Sequence, residues 1–247
     1  MNSPAIEGPD ITGLKTLETF AGATSFNQWL FDSVAVYCQG NILETGSGIG
    51  NISRLLLQKF DAVTLSDFSI NYCQLLEKEF QNYRNLKGII HIDLSVIDFE
   101  KKYQHLLGKF DTVIALNVIE HINDDNLAIG NCKKLIKENG RVIILVPAFL
   151  FLHNSLDKEL GHYKRYTKKK LRELLEQEKL KVIHSKYFNT AGMVGWWLTG
   201  SVLKKKIISK GLLRFYNKLV PLFRLMDKVT NRFAGLSVIA VAVKSED

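Results

Sequence analysis

The chain has 247 residues, 46% hydrophobic and 23% charged, a globular makeup that excludes a disordered tail or a collagen-like chain. Its net charge of +8 is unevenly placed: residues 1–150 hold 13 Lys and Arg against 17 Asp and Glu, and residues 151–247 hold 20 against 8, a net of +12. Three cysteines (Cys38, Cys73, Cys132) are odd in number and form no C-x-x-C pair, which excludes a disulfide framework and suits a reducing cytoplasm.

Residues 1–10 have neither a basic start nor an apolar stretch, which predicts no secretory leader. Residues 24–38 place apolar groups at helical spacing. Strands and helices then alternate: strand 41–44, helix 51–60, strand 62–66, helix 70–83, strand 88–92, strand 110–116, helix 126–138 and strand 141–146. Asn139-Gly140 reads as a C-terminal cap on the helix before it, and Pro147 stops the strand after it. The strands are short unbroken apolar runs, as when helices cover both sheet faces. The alternation therefore predicts an α/β, doubly wound parallel sheet.

Past Pro147, Thr167 reads as the cap of a helix to about Lys179, and residues 181–187 and 236–243 read as strands. Residues 188–235 between them are aromatic-rich, basic and helical in pattern. A connection this long carries structure of its own, so it reads as a helical cap inserted over the sheet, within one domain of residues 1–247. The expected divisions are a helical segment at 1–39, a core at 40–147, a substrate and cap region at 148–235 holding one core helix and strand, and a last strand at 236–247. No apolar run reaches the ~18 residues of a membrane span, so the expected location is cytoplasmic, with or without peripheral contact at a membrane.

The segment from Glu44 to Asn51, ETGSGIGN, joins the first strand to its helix. Glycines here let the backbone turn tightly and approach a ligand. A dinucleotide loop wants G-x-G-x-x-G. Here Gly46, Gly48 and Gly50 give G-x-G-x-G, with Glu44 two residues ahead and Asn51 where the third dinucleotide glycine would stand. A carboxylate at that point suits a cationic ligand better than pyrophosphate. Asp67 ends the second strand 21 residues after Gly46, placed to accept from ribose hydroxyls. Asp93 ends the third strand and is placed to accept from an adenine amino group, with Leu94 and Phe68 to pack the purine faces. Asn117 stands where the fourth strand ends, at the edge where open α/β sheets bind ligands.

These four segments, ETGSGIG, the Asp67 strand end, the Ile92-Asp93 step and LNVIEHI after the fourth strand, together resemble the class I S-adenosylmethionine-dependent methyltransferases over residues 40–147 and again at the last strand. The resemblance implies a Rossmann-like seven-stranded, mostly parallel sheet with its last strand antiparallel. It implies that the loop residues Glu44, Gly46, Ser47, Gly48, Gly50 and Asn51 surround the methionine part of S-adenosyl-L-methionine. Asp67 and Phe68, Asp93 and Leu94, and Asn117 complete the implied cofactor set, and no metal is expected. The run LDKELGHYKRYT from Leu156 to Thr167 is similar to a segment of a bacterial methyltransferase subgroup associated with glycosyltransferases of surface-glycan or lipid-linked sugar pathways.

Methyl transfer to a hydroxyl benefits from a general base. His162, with Tyr163 and Arg165 beside it, is the candidate catalytic cluster, and His121, His153 and Asp157 are further candidates for the base. The same cluster reads equally well as an Arg-tethered structural loop, and Arg165 with Lys164 as a clamp on a substrate phosphate or carboxylate. Base methylation is disfavoured: no N/D-P-P-Y/F step follows the fourth strand, and Ala148, not Cys, follows Pro147. In residues 196–225, Leu212, Tyr216, Leu219 and Phe223 share one helical face, which suits a membrane interface or packing as a cap. The expected function is methylation, at oxygen, of a small molecule or of a glycan or lipid-linked precursor. The alternative is a non-catalytic S-adenosylmethionine-binding partner of a glycosyltransferase.

Overall fold

Seven strands form one sheet in the order β3-β2-β1-β4-β5-β7-β6. They are β1 (Ile42–Thr45), β2 (Val63–Asp67), β3 (Leu86–His91), β4 (Phe110–Leu116), β5 (Ile136–Pro147), β6 (Leu180–Phe188) and β7 (Ser237–Lys244). All neighbours run parallel except β7, which is antiparallel to both β5 and β6. The computed structural model describes residues 11–244. Residues 1–10, where no leader is predicted, and residues 245–247, the end of the last predicted segment, lie outside them.

The unbroken apolar runs are buried on both faces. Every residue of β1 and β2 is buried. In β4, Val113 and Ala115 enter the core on one face and Ile114 the core on the other, as the two-residue period of a strand requires. The first face is covered by α5 (Phe99–Lys102), α6 (Asp125–Leu135) and α8 (Lys168–Gln177), which contribute Phe99, Ile129 and Leu171. The second is covered by α2 (Thr24–Ala35), α3 (Ser53–Lys59), α4 (Ile70–Phe80) and α10 (Lys210–Thr230), through Trp29, Leu56, Leu76 and Val220. The remaining α-helices among the described residues are α1 (Ile11–Ala21), α7 (Ser155–Leu160) and α9 (Thr190–Trp197), the last running into a π-helical turn at Leu198–Val202.

Several sequence readings are corrected. α6 ends at Leu135, so Asn139-Gly140 does not cap it. Ile136 already pairs with Phe110 of β4, the register shifts between Phe110 and Thr112, and Asn139 takes φ +60° inside the long strand β5. The turn signal thus marks a bulge, which asparagine tolerates because it adopts left-handed backbone readily. α1 falls within the helical segment expected at 1–39, whereas the short α5 was not anticipated. In α10 the face turned to the core is Leu213, Tyr216, Val220 and Phe223, while Leu212 is exposed and Leu219 half-buried. Contacts with α2 fix that rotation: Asn217 accepts from the Phe26 N–H at 2.9 Å, Arg224 pairs with Asp32 at 3.0 Å, and the Phe26 ring meets Tyr216 edge-on.

Candidate active site

The loop after β1 carries three left-handed glycines, Gly46, Gly48 and Gly50, at φ +67°, +55° and +85°. The first and last have packing reasons as well. A Cβ on Gly46 would overlap Val118, and one on Gly50 would overlap the Phe80 ring. Gly48 faces α1, whose Leu17 would lie 3.0 Å from an added Cβ, and Asn51 Nδ2 donates to the Leu17 carbonyl at 3.0 Å. α1 therefore lies across the glycine loop. Ser47 is buried, and its N–H donates to the Ser66 carbonyl at 2.9 Å, tying the loop to the end of β2.

The two acids expected beside this loop are both buried. Glu44 accepts from the Ser53 hydroxyl at the start of α3, and burial pushes its carboxyl up to about 7. Asp67 accepts from the Gly48 N–H and the Ser69 N–H, each at 2.9 Å. Its pKa is raised, by burial outweighing those hydrogen bonds. Asp67 is thus a clamp on the glycine loop, and each of its oxygens keeps a second lone pair for a ligand hydroxyl. Phe68, next to it, is 64% exposed. Asp93 is half-buried and accepts from the Ser95 N–H at 2.8 Å. Leu94 does not offer the apolar wall expected of it: it is buried within the main core beside Phe99. Asn117 is exposed at the end of β4 with φ +55°, its N–H donating to the Leu145 carbonyl at 2.8 Å. A left-handed non-glycine residue is costly unless its surroundings impose it, and such residues gather at ligand sites.

These residues fit the adenosyl-methionine group. Positive-φ glycines open a cradle at a strand-to-helix turn, and Asp67, Asp93, Asn117 and Phe68 follow along the same edge, the C-terminal ends of β1, β2, β3 and β4.

The GHYKRY segment lies against the loop after β4, for the Tyr163 N–H donates to the Glu120 carbonyl at 2.9 Å. The network that holds it centres on Asp157 of α7, completely buried. Asp157 accepts from Arg165 Nε at 2.8 Å and Nη2 at 3.1 Å, from His162 Nδ1 at 2.8 Å, from the Asn154 N–H at 3.0 Å and from Trp196 Nε1 at 3.2 Å. Burial alone would raise its carboxyl, but the His162 and Arg165 hydrogen bonds hold it well below the ordinary carboxylate range. Arg165 also donates to the Ala148 carbonyl at 2.7 Å and stacks over Trp196. Its side chain is 1% exposed, so Arg165 is a tether of the loop and not a free clamp for a substrate phosphate. Lys164 is bound to Asp125 at 2.8 Å, and His153 faces the His162 carbonyl at 3.3 Å. Tyr163 stays exposed.

Sequence reasoning missed Glu120. It is fully buried in a 3₁₀ turn (Ile119–His121), and burial pushes its carboxyl up to about 8. It stands beside His121 and His162, whose rings meet edge-on at 4.8 Å. The signal present in the sequence is an acid between two residues of an apolar strand-to-helix connection, Ile119-Glu120-His121, a step that reads as solvent-facing until the chain is folded.

A family model described as a methyltransferase domain matches residues 27–185, more than half of the chain. Among curated proteins, a mitochondrial methyltransferase of Saccharomyces cerevisiae, OMS1, is 29% identical over 122 residues, covering 44% of this chain and 26% of its own length. The chain thus spans about a quarter of that relative. Among solved structures, a chain of the complex between the Haloferax volcanii Trm112 methyltransferase activator and its methyltransferase partner aligns with TM-score 0.63 at 11% identity, covering 97% of this chain and 100% of its own. A Haemonchus contortus phosphoethanolamine N-methyltransferase 2 in complex with S-adenosyl-L-methionine aligns with TM-score 0.54 at 18% identity, over 83% of this chain and 49% of its own. At those identities the likeness is one of fold. With the family match, the seven-stranded sheet and the glycine loop together, the chain belongs to the class I S-adenosylmethionine-dependent methyltransferases.

Proposed function

We propose that this chain transfers a methyl group from S-adenosylmethionine to an oxygen of a glycan precursor carried on a lipid. The cofactor supplies an electrophilic methyl group on a sulfonium, so the chain has chiefly to bind, orient and exclude water. The glycine loop from Glu44 to Asn51, with Asp67, Phe68, Asp93 and Asn117, is assigned to cofactor binding. The acceptor is assigned to the opposite wall, made by Tyr163, His162, His121 and Glu120. There the hydroxyl proton is handled by the His162–His121–Glu120 group, with Asp157 fixing the His162 ring through Nδ1. Arg165 acts as a positioning residue.

The observation that carries the lipid reading is the outer surface of the C-terminal helices. On α10 the side turned away from the core bears Phe215, Leu222, Met226 and Val229, all exposed. Their spacing keeps them on one face, with Lys218 and Lys228 alongside. Trp197, Leu198, Val202 and Leu203 are also exposed, directly before Lys204-Lys205-Lys206. Apolar groups flanked by lysines suit an anionic bilayer surface, at ~1 kcal/mol per basic residue. No helix among the described residues is long and apolar enough to cross a membrane, so contact of this kind is peripheral.

Two measurements test the reading. Co-sedimentation with phosphatidylglycerol-containing vesicles should occur at low salt, weaken as salt rises, and fall sharply for the double variant Phe215→Glu, Val229→Glu. No binding at low salt removes the lipid part. Release of S-adenosylhomocysteine when labelled cofactor is mixed with a lipid extract separates an enzyme from a non-catalytic cofactor-binding partner of a glycosyltransferase, which would bind cofactor without turnover.

A further inference from the structure

Both carboxylate oxygens of Glu120 lack a hydrogen-bond partner, although the side chain is completely buried. An ionised carboxylate in that position needs a compensating positive charge. The nearby guanidinium does not supply it, because Arg165 is spent on Asp157 in a two-point pair. Asp157 and Arg165 cancel each other, so they leave no compensating charge for an ionised Glu120. Two imidazoles stand close to Glu120. Donor atoms of Glu120, His121 and His162 all lie within 4.8 Å of one another. Two ligands on one small cation at tetrahedral angles, each at ~2.0–2.2 Å, stand ~3.3–3.6 Å apart. The three groups therefore close on an ion by a shift of rotamer size.

The outer shell is also in place. His162 turns its Nδ1 to Asp157 at 2.8 Å, which leaves Nε2 as its free nitrogen. A carboxylate holding the far nitrogen of a histidine fixes the tautomer and the ring plane of a metal ligand. His121 lies at the exposed rim of the group, so the centre opens to solvent on one side. Three protein ligands with an open position are the pattern of a working site and not of a closed structural one.

We propose that Glu120, His121 and His162 bind one first-row divalent cation, oriented from behind by Asp157. Two imidazoles and one carboxylate suit manganese, iron, cobalt or zinc better than magnesium or calcium, which prefer oxygen alone. On the oxygen-acceptor reading above, on which this role rests, the three side chains handle the hydroxyl proton through the ion they hold: it binds the acceptor hydroxyl, lowers its pKa, and the proton leaves to water. Glu120 stands three residues beyond Asn117 at the end of β4, which sets the ion beside the assigned cofactor site.

The test uses the ion alone as probe. Full-length protein is stripped with chelator, dialysed, and titrated with Mn(II), Co(II) and Zn(II) by calorimetry, with the Co(II) absorption spectrum as a second readout. One equivalent should bind, with the d–d bands of a nitrogen-ligated centre. Glu120→Gln keeps the side-chain volume without the charge, and His121→Ala alters an exposed position, so circular dichroism should show both folded. Each should weaken binding by at least the ~10–100-fold that losing an outer-shell partner costs. Failure of all three ions to bind folded wild-type protein overturns the proposal, as does binding undiminished in both variants, which marks an adventitious ion only. The acceptor does not enter this measurement, so failure of the methyl-transfer reading would show separately, in the turnover assay.

Discussion

Removing the Asp157 carboxylate by Asp157→Ala tests whether the loop carrying His162 is held from inside. The substitution deletes five hydrogen bonds and leaves the Arg165 guanidinium, 1% exposed, with the Ala148 carbonyl as its remaining acceptor. Breaking a buried ion pair from one side costs about 3–5 kcal/mol. For a domain of this size 1 kcal/mol moves Tm by ~2–4 °C, so the expected fall is roughly 6–20 °C. The double variant Asp157→Leu, Arg165→Leu removes both charges and should regain most of the loss, since replacing a whole buried pair by apolar groups is often close to neutral. The pH dependence has a definite sign. His162 and Arg165, against the opposing effect of burial, hold the Asp157 carboxyl below its ordinary value. Its contribution is therefore present above that ordinary value, near pH 4, and is lost as pH falls below it. Thermal unfolding followed by circular dichroism, repeated from about pH 3 to 7, reads both effects. A Tm for Asp157→Ala within about 3 °C of wild type, or a double variant no better than the single one, would refute the reasoning.

Gly50→Ala should destabilise the protein and abolish S-adenosylhomocysteine binding, because φ +85° and the Phe80 ring both oppose a Cβ. Gly161→Ala, at φ +72° in open space at the end of α7, should cost only ~1 kcal/mol; equal Tm shifts for the two would count against the packing argument. Asp67→Ala should weaken cofactor binding by roughly 1–3 kcal/mol in calorimetry, and unchanged affinity in folded protein would remove Asp67 from the site. Glu44, raised by burial to about 7, favours folding below its unfolded value of about 4.5 and loses that contribution as pH rises through 7. Urea titrations of Glu44→Gln should accordingly show a shallower decline in stability than wild type between about pH 5 and 8.

The parallel half of the sheet was legible because β1, β2 and β4 are buried on both faces, and burial on both faces leaves a plain mark: apolar residues without alternation. The glycine loop and Asp67 were legible for a related reason, since their backbone demands restrict residue type. Three features needed the fold. α1 lies in the segment expected to be helical, but its half-buried residues gave no sign that it packs across the glycine loop. α10 is apolar on two sides, and sequence alone does not say which side meets α2; the Asn217 and Arg224 contacts decide it. Glu120 and Arg165 are charged residues that look exposed in sequence, yet tertiary packing buries them: one paired with Asp157, the other left alone. The sequence therefore pointed to His162 and, as one of two readings, to an Arg-tethered loop, but not to Glu120.

The position of β7 has a consequence for how the protein is made. β7 comes last among the described strands, yet it lies between β5 and β6 and pairs with both. β5 leaves the ribosome about 90 residues ahead of its partner. At ~5–20 residues per second its apolar edge stays open for roughly 5–20 s. During that interval Val142 to Val146 form an unpaired, fully apolar strand edge, the kind of surface on which nascent chains associate. β6, already synthesised, has no place in the sheet until β7 arrives. Expression yield of this protein should therefore respond to translation rate and to chaperones that bind nascent chains, more than its final stability would suggest.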